Sequence, residues 1–267
     1  MLHLRSVEIP QLPERAEFPF TLPLIQNWQP LEFRAPVTFF VGENGSGKST
    51  VMEALAVAAQ MITIGSVDAH RDKTLAPVQD LARFMKLAWS KRTRKGFFLR
   101  AEDFFGWIKS QQRMRAEMQD ELKEIDEEFE GRSEYARGLA RGAVSDQLAG
   151  MQRRYGDGLQ NRSHGESFLD LFQARFVPGG LYLLDEPEVP LSPLRQLSLL
   201  SLLKRMAEEQ EAQFIIATHS PILMACPGAE ILSFDQTPIA PVAYESLEHV
   251  SLTRDFLADP DSFLRHL

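Results

Sequence analysis

At 267 residues, with 44% apolar and 25% charged side chains, the chain is long enough to bury a large core and has the make-up of an ordinary globular protein. A formal net charge of −8 argues against a protein that coats nucleic acid by bulk electrostatics, although it says nothing of a local basic groove. The single cysteine, Cys226, excludes an internal disulfide and a multi-cysteine zinc site.

The opening MLHLRSVEIPQLPER lacks the charged start, apolar run and cleavage site of a secretory signal. No uninterrupted apolar stretch approaches the roughly 18 residues of a membrane span. The expectation is a cytoplasmic protein with no direct membrane insertion. LHLRSVEI and TLPLI read as β pieces of an opening sheet. VTFFV (37–41) is a short apolar run of β-branched and aromatic residues, the pattern of a buried strand. It breaks at GENGSGKST, after which STVMEALAVAAQMI has helical spacing, so the order is strand, glycine loop, helix.

A basic cluster, KRTRK (91–95), precedes a second strand-like run, GFFLRAEDFF. From about Trp107 to Gln160 the chain is polar, charged and helix-favouring, which predicts a helical insertion or lid within one domain spanning 1–267. A helix over SFLDLFQARF, a strand at LYLLDEP and an amphipathic helix from Leu194 to about Gln210 follow. QFIIATHSP and EILSFD read as further strands, and the tail as a small capping helix. Strands alternating with helices predict an α/β fold with a mostly parallel core sheet, a β-rich N-terminal part and the helical insertion.

Two segments carry phosphate chemistry. Residues 42–49, GENGSGKS, match G-x-x-x-x-G-K-[ST] in full. Its glycines let successive backbone N–H groups curl around a phosphate, and the following helix adds its positive end. Gly42, Glu43, Asn44, Gly45, Ser46, Gly47, Lys48, Ser49 and Thr50 are the expected binding residues. Lys48 reaches the β- and γ-phosphates, and the Ser49 hydroxyl suits Mg²⁺. LYLLDE (181–186) is an apolar strand ending in two carboxylates. Asp185 is expected to hold Mg²⁺ directly or through water, and Glu186 is placed as the general base on the attacking water, a role worth ~10²–10⁴ in rate.

In this order the segments resemble the ABC-type ATPases. DEPEVPLSP, ATHSP and GFFLRAEDFF look more narrowly like a group of stand-alone predicted AAA/ABC ATPases, relatives of chromosome-maintenance and recombination-repair ATPases. The resemblance runs from VTFFV to EILSFD. It implies a P-loop NTPase fold, ATP with Mg²⁺, and an ATP-dependent homodimer. NRSHGES (161–167) stands where that family carries its signature, so Ser163, Gly165 and Glu166 are implied to bind the γ-phosphate held by the other subunit. EVPLSP (188–193) resembles the D-loop, with Ser192 near the seam, and IIATHSP (215–221) the H-loop, with His219 on the γ-phosphate.

There are departures. No glutamine stands at the Q-loop; Arg100 and Glu102 occupy the region, and Glu102 is the candidate for sensing metal and water. Phe20, Trp28 and Phe33 are candidates for stacking on adenine, each with an alternative role in the core. The task implied is work on a nucleic acid or a soluble protein partner, for which KRTRK and Arg153-Arg154 are candidate phosphate contacts. The alternative is the nucleotide-binding subunit of a transporter.

Overall fold

A computed structural model describes residues 2–64, 75–131, 133–155 and 164–265. The chain opens with β1 (Leu4–Glu8), the short helix α1 (Pro23–Gln26), β2 (Leu31–Glu32) and β3 (Val37–Val41). Next come α2 (Lys48–Ala58), α3 (Ala76–Phe84), β4 (Lys86–Trp89) and β5 (Gly96–Arg100). The long helices α4 (Ala101–Glu128) and α5 (Glu134–Tyr155) are followed by α6 (His164–Arg175), β6 (Leu181–Asp185) and α7 (Pro193–Glu209). The rest comprises β7 (Gln213–Ala217), α8 (Pro221–Met224), β8 (Glu230–Ser233), β9 (Ala240–Pro241), a 3₁₀ turn (Tyr244–Ser246), α9 (Glu248–Ala258) and α10 (Pro260–Leu264).

Among the described residues, six strands form one sheet in the order β5-β6-β7-β3-β8-β9, parallel except for β9. A smaller antiparallel sheet, β2-β1-β4, lies apart from it. The parallel sheet explains why VTFFV, LYLLD and QFIIA are largely apolar on both faces rather than alternating. Strands β3, β6 and β7 are covered on both faces, and every residue in them is buried.

Alternate side chains feed two cores. Val37, Phe39 and Val41 join Tyr182, Leu184, Phe214 and Ile216 under the first turns of α4, under α6 and under α7. Phe40 goes to the other face with Leu183, Ile215 and Ala217, against α2, α3 and the antiparallel sheet. The buried Gln213 side chain ties the two sheets together. It accepts from the backbone N–H of His3 and Leu4 at 2.8 Å each and donates to the Leu4 carbonyl at 2.9 Å.

Three sequence expectations shift. TLPLI is not a strand: Pro23 opens α1, whose Leu24 and Ile25 are buried, and a short apolar run fits either element. GFFLRAEDFF is half strand and half helix, because β5 ends at Arg100 and the acidic Glu102 and Asp103 enter the first turn of α4. The helical segment therefore begins at Ala101 rather than about 107, and its first turns belong to the core through Phe104, Trp107 and Ile108. Beyond them α4 is largely polar and pairs with α5, with Arg141 held on Asp126 at 2.6 and 2.7 Å. The tail forms two short helices rather than one, divided at Asp259, whose side chain caps α10.

Candidate active site

Because β3, β6, β7 and β5 are parallel, their carboxyl ends fall on one edge of the sheet, where open α/β folds bind ligands. The phosphate loop leaves β3 there, Asp185 and Glu186 end β6, His219 follows β7, and Arg100 ends β5. In register, Asp185 pairs with Ala217 and Phe40 with Ala217, so the loop and the acidic pair stand one strand apart on either side of β7, roughly 10 Å.

The loop turns through left-handed conformations at Gly45 and Gly47, with φ of +84° and +98°, which glycine alone adopts freely. Lys48 opens α2 and is nearly buried. It folds back into the hollow, donating to the carbonyls of Gly42 at 2.6 Å and Glu43 at 3.0 Å. Burial lowers its pKa, against the opposing pull of Asp185, Asp235, Glu186 and Glu43. Asp235, just past β8, accepts the Glu43 N–H at 2.6 Å and lies against Gly42, where a Cβ would come within 2.8 Å of its Oδ1.

Asp185 is buried, and burial pushes its pKa up to about 7. A hydrogen bond with the Ser49 side chain and the charge of Lys48 oppose that rise, while Glu186 and Glu53 add to it. Its Oδ1 is buried without a protein partner. A hydroxyl and a carboxylate with a free oxygen match Mg²⁺, which takes one or two protein ligands and fills its octahedron with phosphate oxygens and water.

Glu186 has φ of +52°, unusual for a side-chain-bearing residue, while its N–H donates to the Ala217 carbonyl at 2.9 Å. Such conformations cost about 1–3 kcal/mol and gather at working sites. Glu186 lines a cavity of about 260 Å³ with Ser49, Glu53, Arg100, Glu102 and Asp185. Arg100 spans its floor, bonded to Asp103 at 2.7 and 3.0 Å and to Glu53 at 3.3 Å. Glu102 stands at the rim, 75% exposed and 3.6 Å from Arg100.

His219 is mounted by its backbone, whose N–H donates to Glu188 at 2.8 Å, and Thr218 also bonds the Glu188 carboxylate. Ser220 donates to Gln196 at 2.6 Å, and Gln196 in turn donates to the Leu191 carbonyl at 3.1 Å. The segment 188–196 after the acidic strand and the histidine loop are thereby braced against each other. Burial, with help from Lys48 and His249, lowers the His219 pKa, so the ring is neutral near pH 7, and its Nε2 is buried without a partner. Ser46 Oγ, Glu188 Oε2 and His249 Nε2 are also buried and unpartnered. Polar atoms left unpaired in one region call for a ligand or an ion.

Of the remaining sequence candidates, Ser163 lies outside the described residues. Gly165 and Glu166 fall in the first turn of α6, where the backbone alone is described. Ser192 is exposed at the N-terminus of α7. Phe20 and Phe33 are core residues, the first edge-on to Phe84 and the second stacked on Phe40, which removes both as platforms for adenine. Trp28 is partly exposed and follows α1, whose Leu24 abuts Gly47 of the loop. Arg92, Arg94 and Lys95 of KRTRK lie near the amino ends of β5 and β6, beside a cavity of about 450 Å³ remote from the phosphate loop. Asp235, Glu188 and His249 are residues of the edge that sequence reasoning missed. EILSFD shows Asp235 as an acid just past a strand, but nothing in the sequence puts that strand beside the phosphate loop, and His249 has no sequence signal.

Two family models match the chain. One, described as "AAA domain", covers residues 20–61, and another, "AAA domain, putative AbiEii toxin, Type IV TA system", covers residues 167–225. They fall on the segments that the fold joins at this edge: the phosphate loop with its helix, and the acidic strand with the histidine loop. Both models describe an AAA domain, and neither covers half of the chain.

Among solved structures, the chain is similar to the Smc head domain from Pyrococcus furiosus bound to the C-terminal domain of ScpA. That match has 12% identity and a TM-score of 0.46, covering 96% of this chain and 100% of the other. It is also similar to the SMC head domain from Thermotoga maritima, at 15% identity and a TM-score of 0.39, with coverage of 91% and 100%. A nucleotide-free ATP-binding cassette from an ABC transporter matches at 15% identity and a TM-score of 0.44, with coverage of 97% and 96%. No curated protein matches the chain. Among the described residues no helix is long and apolar enough to cross a membrane.

Proposed function

We propose that the chain hydrolyses MgATP in a sandwich between two copies of itself and uses the opening and closing of that pair to act on a soluble protein or a nucleic acid. The observation that carries the reading is the gathering of Lys48, Ser49, Asp185, Glu186 and His219 on one sheet edge, with unpaired polar atoms between them. The amides of residues 42–50 and the Lys48 ammonium bind the phosphates. Lys48 exchanges its two carbonyl partners for phosphate oxygens, a small cost for a charge that stays buried.

Ser49 and the free oxygen of Asp185 would hold Mg²⁺, which would supply positive charge against the phosphates. Glu186 takes the proton from the attacking water. The neutral His219 donates to the γ-phosphoryl oxygens as negative charge shifts during transfer. Ser163, Gly165 and Glu166 of the second copy close over the same phosphate. Phosphates bridging two chains favour the closed pair, and hydrolysis removes the bridge. The α4–α5 hairpin, exposed and charged beyond its first turns, is the element offered to the load.

The test compares Glu186→Gln with Lys48→Ala by light scattering, with and without MgATP. Glu186→Gln should bind ATP and accumulate as a dimer, whereas Lys48→Ala should neither bind nor dimerise. A Glu186→Gln protein that binds MgATP but remains monomeric would sink the sandwich.

A further inference from the structure

We infer that His249, in the first turn of α9, is a second γ-phosphate-facing imidazole and makes the site tell nucleoside triphosphate from diphosphate. The inference rests on the reading of the edge as an ATP site, and adds to it a residue from a part of the chain that carries no phosphate motif.

Three observations meet at this residue. Its ring centroid is 6.5 Å from that of His219, so two imidazoles from distant segments are neighbours. The charged groups that act on it are Asp235, Glu43 and Lys48, two of which belong to the phosphate loop, so it lies within electrostatic reach of that loop. Its Nε2 is buried without a protein partner, as is that of His219. An imidazole beside an ammonium and a second imidazole gains nothing from those neighbours. An anion inserted between them satisfies all three groups at once.

The mounting is specific. The Tyr244 hydroxyl donates to the Pro221 carbonyl at 3.1 Å, tying the 3₁₀ turn before α9 to the segment immediately after His219. Leu247 and Val250, on either side of His249, are sunk in the main core, so the first turn of α9 is anchored while its later turns are exposed. The two histidines are therefore held by two segments that are hydrogen-bonded to each other. A phosphate between them would couple nucleotide state to the C-terminal helices.

The experiment uses the full chain as wild type, His249→Ala and His249→Asn, the last keeping a side-chain donor of similar reach. Affinities for ATPγS and ADP are measured with Mg²⁺, and ring resonances of ¹⁵N-histidine protein are followed with each nucleotide. His249→Ala should weaken ATPγS by about tenfold or more, the scale of one hydrogen bond to a charged group, while ADP changes less than about twofold. His249→Asn should recover part of the loss. The His249 Nε2 resonance, identified by its loss in the variants, should move with ATPγS and not with ADP.

Equal losses for both nucleotides, no loss for either, or a resonance that ADP moves as far as ATPγS would each overturn the inference. A wild-type protein that binds neither nucleotide would instead overturn the reading of the edge as an ATP site, and so the two failures are distinguishable.

Discussion

Replacing Asp185 with Asn tests whether the acidic strand is built around an absent positive charge. In the folded chain burial raises its pKa from 3.8 to about 7. At about 1.4 kcal/mol for each tenfold in proton affinity, keeping Asp185 ionised costs the fold about 4 kcal/mol at pH 8. The sign follows from the raised value. The stability that protonated Asp185 gives is fully present below about pH 3.8, falls as pH rises, and is lost above about pH 7.

Asn has the same shape, keeps an oxygen for Ser49 and carries no charge. Asp185→Asn should therefore be more stable than wild type in EDTA by up to about 4 kcal/mol at pH 8 and by less than about 2 kcal/mol at pH 5. Mg²⁺ with ATP should raise the stability of the wild type and do little for the variant. Urea unfolding at both pH values, with and without MgATP, reads all of these quantities. A variant no more stable than wild type at pH 8, or one whose advantage is the same at pH 5, would refute the claim that an uncompensated buried carboxylate sits there.

Three further outcomes are expected. Glu186→Gln should lower turnover by ~10²–10⁴ while ATP affinity stays within a few-fold, measured by phosphate release and by equilibrium binding. Glu188→Ala removes the acceptor that fixes the His219 backbone at 2.8 Å and should slow turnover at least tenfold, whereas Glu188→Gln, which keeps an acceptor, should retain most of it. Gly96→Ala should destabilise the fold on the order of 3 kcal/mol by thermal unfolding. The added Cβ would fall 1.7 Å from the Leu181 carbonyl oxygen at a φ of +117°, and backbone cannot move aside cheaply.

What the chain order revealed, and what it hid, divides by the range of the interaction. The strand–loop–helix around GENGSGKS is legible because each part is local: an apolar β-branched run, glycines where φ turns positive, and helical spacing after Lys48. LYLLDE and IIATHSP are legible for the same reason, since a parallel strand buried on both faces is an apolar run and the polar residues that end or follow it lie at the sheet edge. TLPLI fails because a run of that length fits a strand or a turn of helix equally, and only the packing of Leu24 beside the phosphate loop decides.

Asp235 and His249 fail for a deeper reason. β8 lies beside β3 although Glu43 and Asp235 are far apart in the chain, and that neighbour relation exists only once the sheet is assembled. His249 reaches the edge through Tyr244 and two buried apolar residues, none of which marks it as polar machinery. Motifs thus identify the groups that a local backbone turn carries to this edge. Groups that reach it from elsewhere in the chain are found from the assembled neighbours and from the buried polar atoms that the fold leaves unpaired. At this edge the unpaired atoms belong to Ser46, Asp185 and His219, which the motifs had named, and to Glu188 and His249, which they had not.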